Sequence, residues 1–218
     1  MDRRPRFLTG GVLLLLLALP PTVAAQLPAP IELPAPQLDR GRPLMQVLRD
    51  RQTSRTFDPR PLPLQELSNL LWAAWGINRP DSGKRTAPSA VNWQEIDLYV
   101  ALPGGLYRYE AALHRLAPVH GRDIRAATGT QAFVANAPLT IVLVADLARI
   151  TRASEVDKEW YSAIDAGFIS QNIYLYCASE ELATGVRALV DREQLAPLME
   201  LRPDQRIVVA QTVGYPGP

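Results

Sequence analysis

The chain has 218 residues, of which 47% are hydrophobic and 21% charged, so it can bury the core of one ordinary domain. Its 23 basic and 22 acidic residues leave a formal net charge of +1, which argues against non-specific binding of nucleic acid. The single cysteine, Cys177, excludes an intramolecular disulfide and a cysteine-cluster metal site, and the two histidines lack the sequence context of a zinc site or a Ser-His-Asp hydrolase.

The first 25 residues have the order of a secretory signal peptide. A cationic start, MDRRPRF, precedes an apolar core, GGVLLLLLAL, and small residues follow at Val23 and Ala25. The apolar run is shorter than a membrane span needs, which favours a cleavable leader over a retained anchor. We therefore expect a periplasmic or secreted protein, cleaved near Ala25–Gln26 and without a stable membrane span after cleavage. RRPRFL also loosely resembles a twin-arginine motif, so the general and twin-arginine export routes both stay open.

Two helices are predicted after a proline-rich arm. Residues 26–43 show neither helical nor strand periodicity, and we predict an extended arm there, leading into one domain over residues 44–218. PLMQVLRDRQ places Leu44, Val47 and Leu48 on one helical face. PLQELSNLLWAAWG repeats apolar residues at spacings of three and four, and Gly76 is a suitable stop.

The middle of the chain has the pattern of an antiparallel meander. INRPDSGKRTAPSAVNWQ is rich in turn residues, and EIDLYVAL then alternates as a half-buried strand. PGG turns the chain into LYRYEA, and HRLAPV predicts a third short strand. A short helical piece is predicted near RDIRAAT.

The last third of the chain predicts a buried strand and a central helix. APLTIVLVAD is a continuous apolar run, typical of a strand covered on both faces. EVDKEWYSAIDAGFISQNIYLYCASEEL carries apolar residues around most of its helical circumference, which indicates a central position. A helix at REQLAPLMEL and a strand at RIVVAQTVGYP follow. Helices and strands mix without regular βαβ alternation, so we predict the α+β class.

Two polar stretches are candidates for a binding site. In RQTSRTF, a helix ending near Arg51 would let Arg51, Thr53 and Arg55 converge, and guanidinium donors suit a phosphate oxyanion. The simpler interpretation of this stretch alone is a solvated basic loop. In KRTAPSAVNWQE, donors and acceptors surround a proline beside small residues that would let a planar ligand approach, although an ordinary polar loop has the same composition.

The ordered motifs RQTSRTF, LLWAAWGINR, RTAPSAVNWQEIDLYV, GLYRYEAALHRL, AGFISQNIYLYCASEELATG and TVGYP resemble the nitroreductase family of flavoproteins. The resemblance covers Pro43 to Pro216, and it is strongest for the branch that contains the thiazoline/oxazoline dehydrogenases of azoline peptides. It implies a homodimer of α+β subunits, each with a mainly antiparallel central sheet, flanking helices and a long buried central helix. It also implies FMN bound at the subunit interface.

The resemblance assigns roles to particular residues. Arg51, Thr53 and Arg55 match the Arg-x-Ser-x-Arg pattern that grips the FMN phosphate and ribityl chain. A Pro-Ser-x-x-Asn loop lies against the isoalloxazine, usually from the other subunit, and a segment after the central helix offers backbone contacts to the flavin. The matching residues are Pro88, Ser89, Ala90, Asn92 and Gln94 in the loop, and Gly185 and Val186 in the segment.

Two departures from the family pattern bear on function. Family members often carry a Lys or Arg after GYP as a further phosphate contact, whereas this sequence reads GYPGP, so Arg187 or an arginine of the proline arm is expected to substitute. The azoline-peptide branch usually reads PSAGALYP where this chain reads PSAVNWQE. Other residues have simpler expected roles. We expect Trp72, Trp75 and Trp93 to serve packing, although Trp93 lies inside the proposed flavin loop. We expect Cys177 to be an inert buried thiol, Asp165 to be structural, and His114 and His120 to lie on the surface.

These inferences favour an exported FMN-dependent oxidoreductase. The resemblance implies ping-pong hydride transfer through flavin N5, with NAD(P)H or another donor as reductant and a small organic molecule as second substrate. One alternative is a flavin-free dimeric scaffold that keeps the fold. Another is a dehydrogenase that acts on azolines in a secreted peptide.

Overall fold

The computed structural model describes residues 27–218, and the predicted leader lies outside that range. Four helices are formed: α1 (Leu44–Asp50), α2 (Leu64–Trp75), α3 (Glu155–Ser179) and α4 (Arg192–Leu198). The strands are β1 (Ile31–Glu32), β2 (Phe57–Asp58), β3 (Ile77–Arg79), β4 (Lys84–Arg85), β5 (Ile96–Leu102), β6 (Gly105–Glu110), β7 (Arg115–His120), β8 (Leu139–Asp146), β9 (Ala183–Arg187) and β10 (Gln205–Pro216). Over the described residues, no helix is both long and apolar enough to cross a membrane.

One antiparallel sheet organises the domain. Its strand order is β1-β7-β6-β5-β8-β10-β2, with β9 pairing beside β10. The predicted meander is confirmed, since β5 pairs with β6 and β6 with β7. The turn-rich segment before β5 contains a small extra hairpin, β3–β4, that the sequence did not predict. Together with the four helices, this sheet confirms the predicted α+β class.

Strand β8 lies at the centre of the sheet because all eight of its residues can be buried. Every position from Leu139 to Asp146 is in the interior, as its continuous apolar run predicts. It pairs with β5 on one side and β10 on the other. The apolar residues of β8 and of the strands on both sides of it form the surface on which α3 packs.

Helix α3 packs on that surface with one side and leaves its other side uncovered. Ser154 caps its first turn by accepting a hydrogen bond from the Asp157 amide at 3.1 Å. Ile169, Ile173 and Cys177 are fully buried, and burial raises the pKa of the Cys177 thiol, which agrees with an inert thiol. The uncovered side carries large apolar residues: Val156, Trp160, Tyr161, Ile164 and Phe168.

The proline-rich arm crosses the domain in an extended conformation. Ile31 pairs with Leu116 of β7, so the arm adds a short edge strand to the sheet. Further along, the Gln37 amide donates to Asn69 Oδ1 of α2 at 2.9 Å. The arm ends beside α3, where the Arg42 amide donates to Ser179 Oγ at 2.9 Å. These contacts bring Arg42 to the C-terminal end of α3.

The predicted surface position of the two histidines is wrong. His120 is only 7% exposed, and its Nε2 bonds to the Leu198 carbonyl at 2.7 Å. His114 is half-buried; its Nδ1 lies 2.9 Å from the Tyr109 hydroxyl, and burial lowers its pKa. Both rings cross-link separate parts of the chain, which a single sequence cannot reveal.

Candidate functional site

The segment Arg51–Arg55 leaves α1 and runs beside β9. The Arg51 amide closes the helix by donating to the Val47 carbonyl at 2.8 Å. Three residues further along, the Ser54 backbone amide donates to the Thr184 carbonyl of β9 at 2.9 Å. A Cβ atom on Gly185 would lie 2.7 Å from the Ser54 carbonyl oxygen, so only glycine permits this approach. The structure therefore brings the two predicted backbone elements, Arg51–Arg55 and Gly185–Val186, together.

Tyr174 of α3 joins these two elements. Its hydroxyl accepts a hydrogen bond from the Val186 amide at 3.1 Å and lies 2.9 Å from Thr53 Oγ1. The Arg51 guanidinium carbon lies 5.2 Å from the centre of its ring, a cation–π distance. One buried side chain therefore contacts Arg51, Thr53 and β9 at once.

The hydrogen-bond directions at Tyr174 leave a donor available on Thr53. The Val186 amide can only donate, so the Tyr174 oxygen accepts there. In residues 27–218 the Tyr174 hydroxyl has no acceptor other than Thr53 Oγ1, and in the arrangement that uses this acceptor the tyrosine proton points to Thr53. The Thr53 proton is then free to donate outward to a ligand oxygen. This is the role that a serine or threonine hydroxyl has in binding an anion.

The donors around this segment fit a phosphomonoester such as that of FMN. Within the described part of the chain, neither the Arg51 nor the Arg55 guanidinium makes a hydrogen bond or an ion pair with another residue. Two uncommitted guanidiniums and one oriented hydroxyl are complementary to a doubly charged phosphate. An adjacent cavity of about 260 Å³ is lined by residues that include Arg42, Gln52, Ser54, Tyr174, Thr184 and Pro216.

Of the two expected substitutes for a C-terminal cation, Arg187 is placed elsewhere. Its guanidinium is buried and donates to the Thr128 carbonyl, to Thr128 Oγ1 and to Thr212 Oγ1. Removal from water lowers the pKa of Arg187 to about 10. Arg42 of the arm does line the cavity, although its guanidinium also binds Asp50 and the Ala178 carbonyl. The contacts of Arg187 therefore tie β9 to neighbouring structure and leave no role in phosphate binding.

The predicted loop from Pro88 to Gln94 forms a strained, exposed turn. Val91, Asn92 and Gln94 all have positive φ, at 50°, 61° and 51°. For a β-branched residue such as Val91 this conformation is rare, and it persists only where the surroundings enforce it. Val91 itself is 83% exposed. The turn therefore keeps its conformation through contacts at its ends and not through packing of its exposed tip.

Hydrogen bonds at both ends hold this turn in place. The Gln94 amide donates to Ser89 Oγ at 3.1 Å, and Gln94 Oε1 accepts from Arg85 Nε at 2.7 Å. The Ala90 amide donates to Asp165 Oδ2 of α3 at 2.8 Å. Asp165 is thus structural, as predicted, and its structural task is to hold this loop.

Within one chain, the Pro88–Gln94 loop and the Arg51–Arg55 segment contact α3 at different places. The loop binds α3 at Asp165 and the segment binds it at Tyr174, nine residues later. At 1.5 Å per residue this is a separation of about 14 Å along the helix axis. The two predicted parts of the site are therefore separate features of a single chain.

Comparison with known proteins assigns the family. Residues 48–215 match the model of the nitroreductase family. The chain belongs to the nitroreductase family. The family resemblance of the sequence motifs is thereby confirmed, and the match spans Arg51–Arg55, the Pro88–Gln94 loop and β9.

Relatives support this membership. A nitroreductase homologue of Methanocaldococcus jannaschii is 30% identical over 174 residues, which cover 75% of this chain and 87% of that protein. The crystal structure of a nitroreductase homologue from Ralstonia eutropha JMP134 has 46% identity and a TM-score of 0.83, covering 87% of this chain and 90% of that one. The Escherichia coli microcin synthetase McbBCD complex is 16% identical with a TM-score of 0.67, covers 78% of this chain and 73% of that one, and shows only a shared fold.

In this member of the nitroreductase family, the sequence motifs did not indicate two buried polar residues beside the candidate site. Tyr174 lies in the apolar stretch NIYLYC of α3, where a tyrosine that supports a ligand loop has the same pattern as a core tyrosine. Glu95 directly follows the predicted loop and is fully buried. A charged residue between a polar loop and an apolar strand is ordinary, so its burial could be found only from the fold.

Proposed function

We propose that this member of the nitroreductase family is an exported, FMN-dependent oxidoreductase that works as a homodimer. The observation that carries the proposal is the assembly of Arg51, Thr53 and Gly185 around Tyr174, with two guanidiniums and one hydroxyl proton left for a ligand. A solved structure from Staphylococcus epidermidis named for NAD(P)H:FMN oxidoreductase shares the fold, with a TM-score of 0.62 at 15% identity over 84% of this chain and 92% of that one.

In this proposal each residue of the segment has a distinct task. The guanidiniums of Arg51 and Arg55 bind the phosphate, and the Thr53 hydroxyl donates to a phosphate or ribityl oxygen. Tyr174 holds Thr53 in the orientation that makes this donation possible. Bound FMN would supply the hydride chemistry, with NAD(P)H or another donor and a small organic substrate taking turns at one place, which gives ping-pong kinetics.

A second copy of the chain completes the site. The uncovered side of α3 exposes 67% of Trp160, 40% of Ile164 and 45% of Phe168, and α1 exposes Leu44 and Leu48. A contiguous apolar surface of this kind is typical of an interface. Pairing of α3 with its symmetry mate would bring the Pro88–Gln94 loop of one subunit towards the Arg51–Arg55 segment of the other, across the 14 Å that separates them within a chain.

Export is supported by the leader-like order of residues 1–25, and it affects the choice of reductant. Free NAD(P)H is found mainly in the cytoplasm. A periplasmic or secreted enzyme would therefore receive electrons from a quinol or a partner protein, or would catalyse the reaction in the dehydrogenase direction. The dehydrogenase alternative has one point of support: the likeness in fold to a microcin synthetase complex with truncated pro-MccB17 bound. The sequence PSAVNWQE in place of PSAGALYP favours a small-molecule substrate over an azoline peptide.

The proposal is tested with the protein that begins at Gln26. We expect a yellow protein that releases one FMN per subunit and sediments as a dimer. A colourless protein that fails to take up added FMN would refute the flavoenzyme hypothesis and favour the flavin-free scaffold. A yellow monomer would refute the shared site alone.

A further inference from the structure

A buried pair of carboxyl groups lies beneath the Pro88–Gln94 loop. Glu95, at the end of the loop, is 0% exposed, and Asp165 of α3 is 2% exposed. Neither carboxyl oxygen of Glu95 has a hydrogen-bond partner that meets ordinary geometry in residues 27–218. The Glu95 backbone is fixed, because its carbonyl accepts from the Asp146 amide at 2.9 Å. Its side chain is therefore enclosed where the loop enters β5.

Both members of the pair are connected to the same loop. Asp165 holds the loop from below by accepting from the Ala90 amide, and Glu95 belongs to the chain that leaves the loop. Burial, together with the nearby charge of Asp165, raises the pKa of Glu95 to about 7. Burial also raises the pKa of Asp165, whereas the Ala90 amide lowers it by stabilising the ionised form. The charge therefore resides on Asp165 and the proton on Glu95.

The charged groups around the pair do not compensate a second negative charge. Arg149 is the cation that acts on Glu95, and it is the weakest of the influences on that carboxyl. Its guanidinium is already bound by Asp97 and Asp146, and it donates to the Gln94 carbonyl. A second ionised carboxylate in this interior would have to rely on Arg149, which is already bound by two other carboxylates, and proteins avoid such an arrangement by retaining a proton.

We propose that Glu95 and Asp165 carry one proton between them, on Glu95, and act as positioning residues for the Pro88–Gln94 loop, which keeps its conformation only while that proton is present. For FMN binding the inference rests on the proposed function, because the loop is taken to cover the flavin of the partner subunit. When the pair loses its proton to solvent, the two carboxylates repel each other. The bond from Ala90 to Asp165 then weakens, and the positive φ values of Val91 and Asn92 are no longer enforced.

The first test follows hydrogen exchange in the loop and needs no cofactor. Wild type and Glu95→Gln are compared with each other at pH 6 and again at pH 8.5. Because each comparison is made at a single pH, the intrinsic pH dependence of exchange cancels. Glutamine keeps the shape and the donor of a protonated Glu95 at both pH values. We expect equal protection of residues 88–94 at pH 6 and about tenfold faster exchange of the wild-type loop at pH 8.5. Equal protection at both pH values would overturn the proposal.

The second test measures the dissociation constant of FMN by flavin fluorescence across the same pH range. Wild type should lose about tenfold in affinity between pH 6 and pH 8.5, the effect of a one-unit difference in the pKa of the pair between free and bound protein. Glu95→Gln should remove this loss, since glutamine cannot ionise and the pair then keeps the single charge of Asp165 at both pH values. Glu193→Gln, on the exposed side of α4, serves as the matched control and should follow wild type.

The two tests separate the inference from the function on which it rests. If the FMN dissociation constant changes with pH in Glu95→Gln as it does in wild type, the role of the pair is overturned, but the proposed FMN-dependent function is not. A protein that binds no FMN at any pH refutes the proposed function, and the exchange result then decides the positioning role alone.

Discussion

Removal of one hydroxyl group, by Tyr174→Phe, tests how the candidate site is assembled. The change leaves the buried ring and its contact with Arg51 in place. It removes the acceptor for the Val186 amide at 3.1 Å and the donor to Thr53 Oγ1 at 2.9 Å. Each such bond contributes about 1 kcal/mol, so we expect the free energy of unfolding to fall by about 1–2 kcal/mol.

The same change should weaken FMN binding although Tyr174 itself donates no bond to the cofactor. Without the tyrosine hydroxyl, no bond orients the Thr53 hydroxyl towards the ligand. A loss of about 1–1.4 kcal/mol corresponds to a dissociation constant raised about 5- to 10-fold. Thr53→Val should raise it by at least as much. Because both changes remove the same donation, the double variant should resemble Thr53→Val rather than the product of the two single effects.

The assay is titration of the apoprotein with FMN, followed by flavin fluorescence, alongside urea unfolding. Tyr176→Phe is the matched control: it removes another hydroxyl from α3, one that binds Glu66 at 2.5 Å away from the segment. It should change stability but leave FMN affinity within about twofold of wild type. If Tyr174→Phe binds FMN as wild type does while Thr53→Val does not, the proposed orientation of Thr53 is refuted.

Three further outcomes are expected. Arg51→Ala or Arg55→Ala should weaken FMN binding by about 10- to 100-fold while leaving riboflavin binding nearly unchanged, and variants purified fully loaded with FMN would contradict phosphate binding. Gly185→Ala should lower the free energy of unfolding by about 1–3 kcal/mol and reduce FMN occupancy, because its Cβ would lie 2.7 Å from a backbone oxygen. Gly104→Ala, whose Cβ would make only ordinary contacts, should change neither quantity; urea unfolding and the absorption of bound flavin measure them. The raised pKa of Glu95, about 7 in the fold against 4.5 in the unfolded chain, means that its stability cost is absent below pH 4.5 and grows as pH rises to 7, by up to about 3 kcal/mol; Glu95→Gln should flatten that decline in unfolding measured from pH 5 to pH 8.

Periodicity was sufficient to predict the elements whose environment is uniform. Strand β8 is apolar at successive positions because both of its faces are covered. Helix α2 repeats apolar residues at helical spacing because only one of its sides is covered. Strand β9 was not predicted as a strand. Its five residues, ATGVR, hold a glycine, a small residue and an arginine, and they are extended because β10 and the Arg51–Arg55 segment offer backbone partners. Such pairing is decided by tertiary structure, not by local preference.

The candidate site was predictable where motifs carry the chemistry and unpredictable where burial decides it. Arg51, Thr53 and Gly185 could be placed together from their patterns, and the fold does place them together. Arg187 shows the limit of this approach, since a cation near a phosphate motif looks like a ligand until its partners, two threonines, are known. Buried polar side chains find specific partners, and the identity of those partners depends on the whole fold.

Helix α3 sets the geometry of the site because it carries both supports. Asp165 holds the loop that is proposed to cover a flavin, and Tyr174 holds the segment that is proposed to bind a phosphate, about 14 Å apart on one rigid helix. A single chain cannot close that distance without breaking one of the two contacts. Two antiparallel copies of α3 that paired with their midpoint at residues 169–170, next to the exposed Phe168, would place Asp165 of one copy near the level of Tyr174 of the other. The proposed site shared between two subunits would account both for the exposed apolar side of the helix and for the separation of the two supports.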